Sequence, residues 1–335
     1  MLFSEVLLKG VIVVRVNASI NHKSRFCVIL VFAGFAGFAG FAALLSSAMP
    51  VHAQQGLLNR TLVPADSSQN GLISDIVDDR AIKQLISSKA ELLLPDPEVS
   101  LLEGFEEQIK RSETKLKLPK LKSAILASHE VYPAVAPSVL VLSKVYKCGR
   151  CTRWHDRSAG AFAITADGAI VTNHHVVEGV QPDERALVAT AANGKVYVVK
   201  EILAADELND IAILQLELPT GEKLTPAKIA ERAIPGEDVY AISHPVSRFY
   251  TLTKGVVSRN AMMHTPKGSA KRLYITAEFA KGSSGSPIFN SRGEVVGIVS
   301  STQSIYYTET QEQQKNLQMV FRNCVPASSV HLLLK

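Results

Sequence analysis

The stretch KGSSGSPIFN, residues 281–290, packs two glycines and three serines into its first six positions and then becomes apolar. A glycine–serine cluster by itself predicts a surface loop. Glycines on both sides of a serine also permit a tight turn whose backbone N–H groups point towards one place. The choice between a plain loop and a held nucleophile depends on whether the rest of the chain supplies a base, an acid and supporting strands.

The chain around this stretch, from about Tyr132 onward, predicts many short strands. Runs rich in valine and isoleucine alternate with turn dipeptides. The clearest of these dipeptides are Asp167-Gly168, Asn193-Gly194 and Arg292-Gly293. Helical spacing is scarce until the final PASSVHLLLK, which predicts a short C-terminal helix. The pattern predicts an all-β sandwich or pair of barrels over residues 132–335.

Residues 54–131 have a different texture. They begin with a polar, linker-like run and then show apolar residues at helical spacing over 72–94 and again over 101–109. We interpret them as a helical pro-segment, spacer or oligomerisation arm. The section ends in the basic tail KRSETKLKLPKLK, for which a solvated face is the main interpretation and a processing or surface-binding site the alternative.

Residues 1–53 resemble an export signal. A basic flank precedes a run without charges from Phe26 to Leu45, and SSAMPVHA then offers small residues for cleavage after Ala53. An uncleaved membrane anchor is the alternative, because the apolar run is longer than an ordinary signal core. We expect a periplasmic or secreted protein, membrane-anchored if the signal is retained.

Composition excludes several classes of protein. The chain is 47% hydrophobic and 20% charged, which fits a folded domain. Three of its five net positive charges lie in residues 1–53, so the remainder is too weakly basic to predict nucleic-acid binding. Four cysteines in 335 residues do not make a disulfide-dense scaffold.

Cys148, Cys151 and His155 occur in CGRCTRWH and leave three interpretations open. We expect a local disulfide between the cysteines, ahead of free thiols and a metal site, because a structural zinc ion needs about four ligands and no second pair is visible. Cys324 is expected to be a buried small apolar residue. No metal or organic cofactor is predicted.

Three segments together supply the groups that a serine nucleophile needs. A strand leads to His174 and His175, ELNDIAILQL places Asp210 before another strand, and Gly282 to Gly285 surround Ser284. Serine requires an imidazole base, and the imidazole requires a carboxylate that fixes its tautomer. His174, Asp206, Ser283 and Ser286 are the competing residues for these roles.

The order of histidine, aspartate and serine, at spacings of 35 and 74 residues, resembles that of the trypsin-like (chymotrypsin-fold) serine endopeptidases. TNHHV at 172–176 and NDIAI at 209–213 are closest to the bacterial HtrA/Deg group, although GSSGSPIF is nearer the staphylococcal glutamyl-endopeptidase branch. The resemblance implies two six-stranded antiparallel β-barrels, with His175 as base, Asp210 as its orienting acid and Ser284 as nucleophile. It also implies an oxyanion hole made by the N–H groups of Gly282 and Ser284.

The same resemblance suggests where substrate would bind. Glu278, six residues before Ser284, is a candidate for the floor of the specificity pocket, with an ordinary surface glutamate as the alternative. Lys281 is also expected to bind substrate. Ser300 would support Asp210, while Val299 to Ser301 would hold the substrate backbone.

The leading hypothesis is an exported serine endopeptidase acting on proteins or peptides, with a possible part in protein quality control. The alternative is a non-catalytic or conditionally inactive, chaperone-like peptide-binding protein on the same fold. A PDZ domain, usual in the HtrA group, is not expected, and the sequence does not indicate an oligomeric state.

Overall fold

The computed structural model describes residues 76–96, 99–310 and 313–335, together with the backbone of three short strands nearer the N-terminus. The chain divides into two compact units, Met1–Ala65 and Asp66–Lys335. In the first unit β1 (Glu5–Leu8), β2 (Val11–Arg15) and β3 (Ile29–Phe32) form an antiparallel sheet in that order. The export signal and its cleavage site otherwise lie outside the described residues. Among the described helices, none has both the length and the apolar character needed to cross a bilayer.

The predicted helical section contains one substantial helix, α1 (Asp79–Leu93). The Asp78 carboxylate accepts a hydrogen bond from the Ala81 N–H at 2.9 Å and caps its first turn. Ile82, Ile86 and Ala90 recur every four residues and are buried, so the helical spacing in the sequence is confirmed here. The later spacing produces only the single-turn helix α2 (Phe105–Gln108), and α3 (Ser128–Val135) follows before the first barrel.

Six antiparallel strands close the first barrel in the order β4-β5-β6-β9-β8-β7. They are β4 (Val139–Lys147), β5 (Trp154–Ala163), β6 (Ala169–Thr172), β7 (Glu184–Ala191), β8 (Val196–Asp206) and β9 (Ile211–Leu216). A four-residue helix, α4 (His174–Val177), follows β6. Gly168 and Gly194 have positive φ angles in the turns after β5 and β7, as the turn dipeptides predict.

The second sheet has seven strands in the order β10-β15-β14-β11-β12-β13-β16. They are β10 (Lys228–Ile229), β11 (Asp238–Ser243), β12 (Thr251–Thr265), β13 (Gly268–Ile275), β14 (Pro287–Asn290), β15 (Glu294–Glu309) and β16 (Gln314–Pro326). Because β15 also pairs with β16, six of these strands form a ring, to which β10 adds in parallel. The expected all-β fold is confirmed, and the C-terminal helix is a 3₁₀ segment, Ala327–Leu333.

The section before the barrels packs directly against them. The buried face of α1 joins the same apolar core as the first barrel, and the Ser87 hydroxyl donates to the Trp154 carbonyl at 3.0 Å. Lys83 forms an ion pair with Asp156 at 3.1 Å. One compact unit contains this section and both sets of strands, from Asp66 to Lys335.

Candidate active site

His175 and Asp210 meet because their strands are paired. Thr172, the last residue of β6, lies opposite Ala212 of β9, so the residues just beyond each strand are neighbours. Asn173 strengthens this junction by donating from its Nδ2 to the Asp210 carbonyl at 2.9 Å. Asp210 adopts a left-handed φ of 58°, a conformation that aspartate tolerates better than most residues.

The Asp210 carboxylate holds the His175 imidazole by several hydrogen bonds. Nδ1–H of His175 lies 2.8 Å from Oδ1 and 3.0 Å from Oδ2, and the His175 backbone N–H donates to Oδ1 at 3.2 Å. Burial alone would raise the pKa of Asp210, but these bonds and one from Ser300 hold it below its ordinary value. An ionised carboxylate at Nδ1 fixes the tautomer that leaves Nε2 to accept a proton.

The competing residues have other partners. The Asp206 carboxylate accepts hydrogen bonds from the backbone and side-chain nitrogens of Asn209, at 2.9 and 2.7 Å, and so closes the turn before Asp210. His174 is buried and faces Glu178, with its Nδ1 3.7 Å from Oε2. Neither residue contacts the His175–Asp210 pair through a hydrogen bond within the described chain.

The serine loop, residues 282–286, is held by backbone hydrogen bonds to both barrels. The Ser284 carbonyl accepts from the Gly160 N–H at 2.7 Å, and the Gly285 N–H donates to the Val299 carbonyl at 2.9 Å. Gly282 and Gly285 have φ angles of +95° and +82°. A Cβ at Gly285 would stand 2.2 Å from the Gly160 carbonyl oxygen, so this position accepts only glycine.

Ser300 connects Ser284 to the His175–Asp210 pair. Its hydroxyl donates to Asp210 Oδ2 at 2.6 Å, and its carbonyl accepts from the Ser284 hydroxyl at 3.3 Å. The structure therefore brings all three predicted catalytic residues to one place through Ser300. Between residues 99 and 310, no hydrogen bond joins Ser284 directly to His175, whose Nε2 has no partner there.

The N–H groups of Gly282 and Ser284 are the predicted oxyanion donors. Their neighbours Ser283, Gly285 and Ser286 all donate to backbone carbonyls, whereas these two N–H groups have no acceptor within the described part of the chain. Two free, closely spaced N–H groups beside a serine hydroxyl are the chemical requirement for stabilising an oxyanion.

The residues expected to bind substrate differ in their surroundings. The Glu278 carboxylate is 78% exposed and paired with Arg322 Nη2 at 2.8 Å, so its charge is already neutralised. The Val299 side chain is buried, and its backbone N–H and carbonyl bond to Ser286 and Gly285 of the serine loop. Lys281 and Ser301 are exposed beside the loop, and Ser301 accepts from Asn323 Nδ2 at 3.1 Å.

Gly160 is a site residue that the motifs do not reveal. A Cβ at this position would lie 2.0 Å from Ser286 Oγ and 2.6 Å from the Ser286 nitrogen. Thr172 fixes the same point by donating from Oγ1 to the Gly160 carbonyl at 2.8 Å. Isolated glycine inside a strand is a signal of close backbone approach, and SAGAFA carries that signal.

Arg272 and His244 are two buried polar residues near the site. Arg272, on β13 of the second sheet, donates from Nη2 to the Leu208 carbonyl at 2.9 Å and so holds the Asp210 turn from across the molecule. His244 is fully buried, and burial lowers its pKa to about 4. Its Nδ1 accepts from the Tyr250 N–H and its Nε2–H donates to the Leu140 carbonyl, both at 3.1 Å.

The disulfide expected between Cys148 and Cys151 is not formed in this structure. Both residues are free thiols, with their sulfur atoms 3.3 Å apart, well beyond an S–S bond of about 2.05 Å. Cys324 is buried as predicted, and burial raises the pKa of its thiol.

Comparison with known proteins agrees with this geometry. Residues 159–298 match the trypsin-like peptidase domain. A probable periplasmic serine endoprotease DegP-like of Pseudomonas putida (strain GB-1) is 30% identical over 225 residues, covering 64% of this chain and 45% of that protein. A protein of the same description from Hahella chejuensis is 32% identical over 147 residues, 42% of this chain and 29% of its own. The serine protease Do-like HtrB of Bacillus subtilis is 31% identical over 136 residues, 38% and 29%. The chain thus spans less than half the length of these relatives.

Proposed function

We propose that this chain, whose residues 159–298 match the trypsin-like peptidase domain and whose relatives include DegP-like endoproteases, is an exported serine endopeptidase of the HtrA type. Its substrates would be proteins or peptides, and its catalytic residues Ser284, His175 and Asp210. The hydrogen bonds of Ser300 carry the proposal, because one residue contacts both the nucleophile hydroxyl and the orienting carboxylate.

The reaction follows from the free atoms of the site. Ser284 Oγ attacks the scissile carbonyl while His175 Nε2 takes its proton, since Nδ1 is occupied by Asp210. The N–H groups of Gly282 and Ser284 would stabilise the resulting oxyanion. His175 then returns the proton to the leaving amine, and water activated by the same imidazole hydrolyses the acyl-enzyme.

Export and a part in protein quality control belong to the same proposal. Two of the relatives are described as periplasmic endoproteases, and the run from Phe26 to Leu45 with SSAMPVHA is an export signal in form. N-terminal sequencing of the mature protein from a cell-envelope fraction tests this part, with a first residue at or after Gln54 expected.

A conditionally inactive, peptide-binding protein is the second candidate function. The observation in its favour is the hydrogen bond from Ser284 Oγ to the Ser300 carbonyl, because that hydroxyl is turned towards the backbone in place of His175. The Ser284 side chain would have to rotate towards His175 before proton transfer. The two candidates differ in whether Ser284 reacts.

A fluorophosphonate probe distinguishes them. The full chain should be labelled, Ser284→Ala should not, and its peptide hydrolysis should fall by at least about 10⁴-fold. Ser283→Ala is the matched control, because that neighbouring hydroxyl is buried and has no hydrogen-bond partner among the described residues. Equal labelling of all three proteins, or none of the wild type with or without added peptides, would exclude the peptidase and favour the binding protein.

A further inference from the structure

The hairpin between β4 and β5 brings together three side chains that bind metals. Cys148 and Cys151 lie in its six-residue loop, and His155 is the second residue of β5. Cys148 Sγ lies 3.1 Å from His155 Nε2, Cys151 Sγ lies 3.0 Å from the same nitrogen, and the two sulfurs are 3.3 Å apart. The three atoms form a nearly equilateral triangle.

The strand pairing explains why the triangle forms. Lys147 lies opposite Trp154 and Tyr146 opposite His155, so the register sets His155 directly beneath the loop. The His155 ring stacks on Tyr146 with centroids 5.4 Å apart and planes at 30°. Arg157 covers Tyr146 at 3.9 Å from its ring centroid, so the imidazole is oriented by an aromatic and cationic stack.

We propose that Cys148, Cys151 and His155 bind one thiophilic divalent cation of the Zn²⁺ class. Zinc binds thiolate sulfur at about 2.3 Å and imidazole nitrogen at about 2.0–2.1 Å. An ion on one side of the triangle reaches all three atoms at those lengths, and a small outward shift of the ligands opens the angles to tetrahedral. Two soft thiolates and an imidazole favour zinc over the oxygen-seeking magnesium and calcium.

The fourth position of the ion is assigned to a water molecule. Cys151 is exposed and the loop faces solvent, so water can reach the ion. The site lies at the edge of a cleft of about 720 Å³ that His155 and Tyr146 line together with α1 residues such as Asp79 and Lys83. A bound ion would fasten the loop end of the hairpin beside that cleft.

The same contacts argue against a disulfide as the resting state. A disulfide would bring the sulfurs together and would leave the two short contacts with His155 Nε2 without a chemical role. A metal ion uses all three atoms at once. The proposal does not depend on whether Ser284 is a nucleophile.

Metal analysis of the full chain tests the site. Protein purified under reducing conditions, stripped with chelator and reloaded with Zn²⁺, should hold one zinc per chain. Co²⁺ alone, used as a spectroscopic probe, should produce thiolate-to-cobalt charge-transfer absorption. Cys148→Ser and His155→Gln should weaken Co²⁺ binding by roughly 100-fold or more, since even partners of metal ligands contribute 10–100-fold. Cys324→Ala and His129→Gln are the matched controls, one a buried thiol and the other an exposed histidine away from the loop.

The melting temperature provides a second test that does not depend on the variants folding well. Chelation of the wild-type chain should lower its melting temperature and Zn²⁺ should restore it, while chelation should leave Cys148→Ser unaffected. The proposal is overturned if the reduced wild type binds neither Zn²⁺ nor Co²⁺. It is also overturned if the protein as isolated from the cell envelope has two fewer titratable thiols than Cys residues and a mass lower by two hydrogens.

Discussion

The serine loop and the rim beside it, formed by Glu278 and Lys281, differ in how many of their polar groups are bonded to other parts of the protein. In the loop, the Ser284 carbonyl and the Gly285 N–H are both bonded to strands of the barrels. On the rim, Glu278 and Lys281 are exposed, and the only ion pair there within the described residues joins Glu278 to Arg322. The backbone geometry of the loop is therefore set by positions that glycine spacing encodes, whereas the charge on the rim depends on a side chain supplied by a distant strand.

Substitution of the proposed orienting acid, Asp210, should cause the largest loss of activity. Asp210→Asn keeps the shape of the side chain but can present an amide N–H to His175 Nδ1, which favours the wrong tautomer. We expect kcat/KM to fall roughly 10⁴-fold with little change in folding. Steady-state hydrolysis of a peptide substrate measures the loss.

Asp206→Asn is the matched control, because this acid closes the preceding turn and an amide oxygen can still accept from Asn209. Its loss of activity should be far smaller. Equal losses in the two variants would show that the turn, and not the imidazole, needs the charge.

Acid should lower the stability of the fold through the buried side chain of His244. Its pKa is about 4 in the folded protein and 6.5 ordinarily, so the unfolded chain takes up a proton first as pH falls. The stabilisation is present above about pH 6.5 and is lost between about 6.5 and about 4, by up to about 3 kcal/mol. Urea unfolding measured across that range should show this slope.

The slope should flatten in His244→Gln and persist in His331→Gln, an exposed histidine in the C-terminal 3₁₀ segment. If His244→Gln keeps the full slope, other groups cause the acid sensitivity of the fold.

The close approach of β5 to the loop can be broken at Gly160. A Cβ there would overlap Ser286 Oγ at 2.0 Å and the backbone nitrogen at 2.6 Å, so the loop must move. We expect Gly160→Ala to lower the free energy of unfolding by about 1–3 kcal/mol, and to reduce kcat of the folded fraction as well. Thermal unfolding and kinetics on the same sample measure both.

Gly149→Ala is the control, since nothing lies within 4 Å of a Cβ at that position. A Gly160→Ala variant as stable and active as Gly149→Ala would show that the strand and loop separate without cost.

The parts that the sequence predicts well are those with local patterns. Asp210 and Ser284 are recognisable because a strand or a glycine turn sits next to each in the chain, and the turn glycines at 168 and 194 mark the first barrel. α1 is likewise visible in the spacing of Ile82 and Ile86.

The residues that the sequence does not reveal act across long distances. Arg272 holds the Asp210 turn from 62 positions later in the chain, and its role follows only from the packing of β13 against that turn. Arg322 meets Glu278 because β16 pairs with both β13 and β15. Val299 is buried because β15 is covered on both faces from Val295 to Val299, and the register shift that precedes Ser301 follows it. No local pattern encodes these pairings.

Substitution on the rim should change kcat/KM least, and Glu278→Gln tests this expectation. A carboxylate on a pocket floor would select substrates with lysine or arginine before the scissile bond, and its loss would cost such substrates several orders of magnitude. Glu278 is instead 78% exposed and paired with Arg322, and exposed ion pairs contribute about 0–1 kcal/mol. We therefore expect kcat/KM to change by less than about tenfold for peptides with basic, acidic or aliphatic residues at that position. Glu201→Gln, which breaks the comparable pair with Arg111 on the first barrel, is the control. A loss above 100-fold confined to basic substrates would make Glu278 the specificity residue and would show that Arg322 yields it to the substrate.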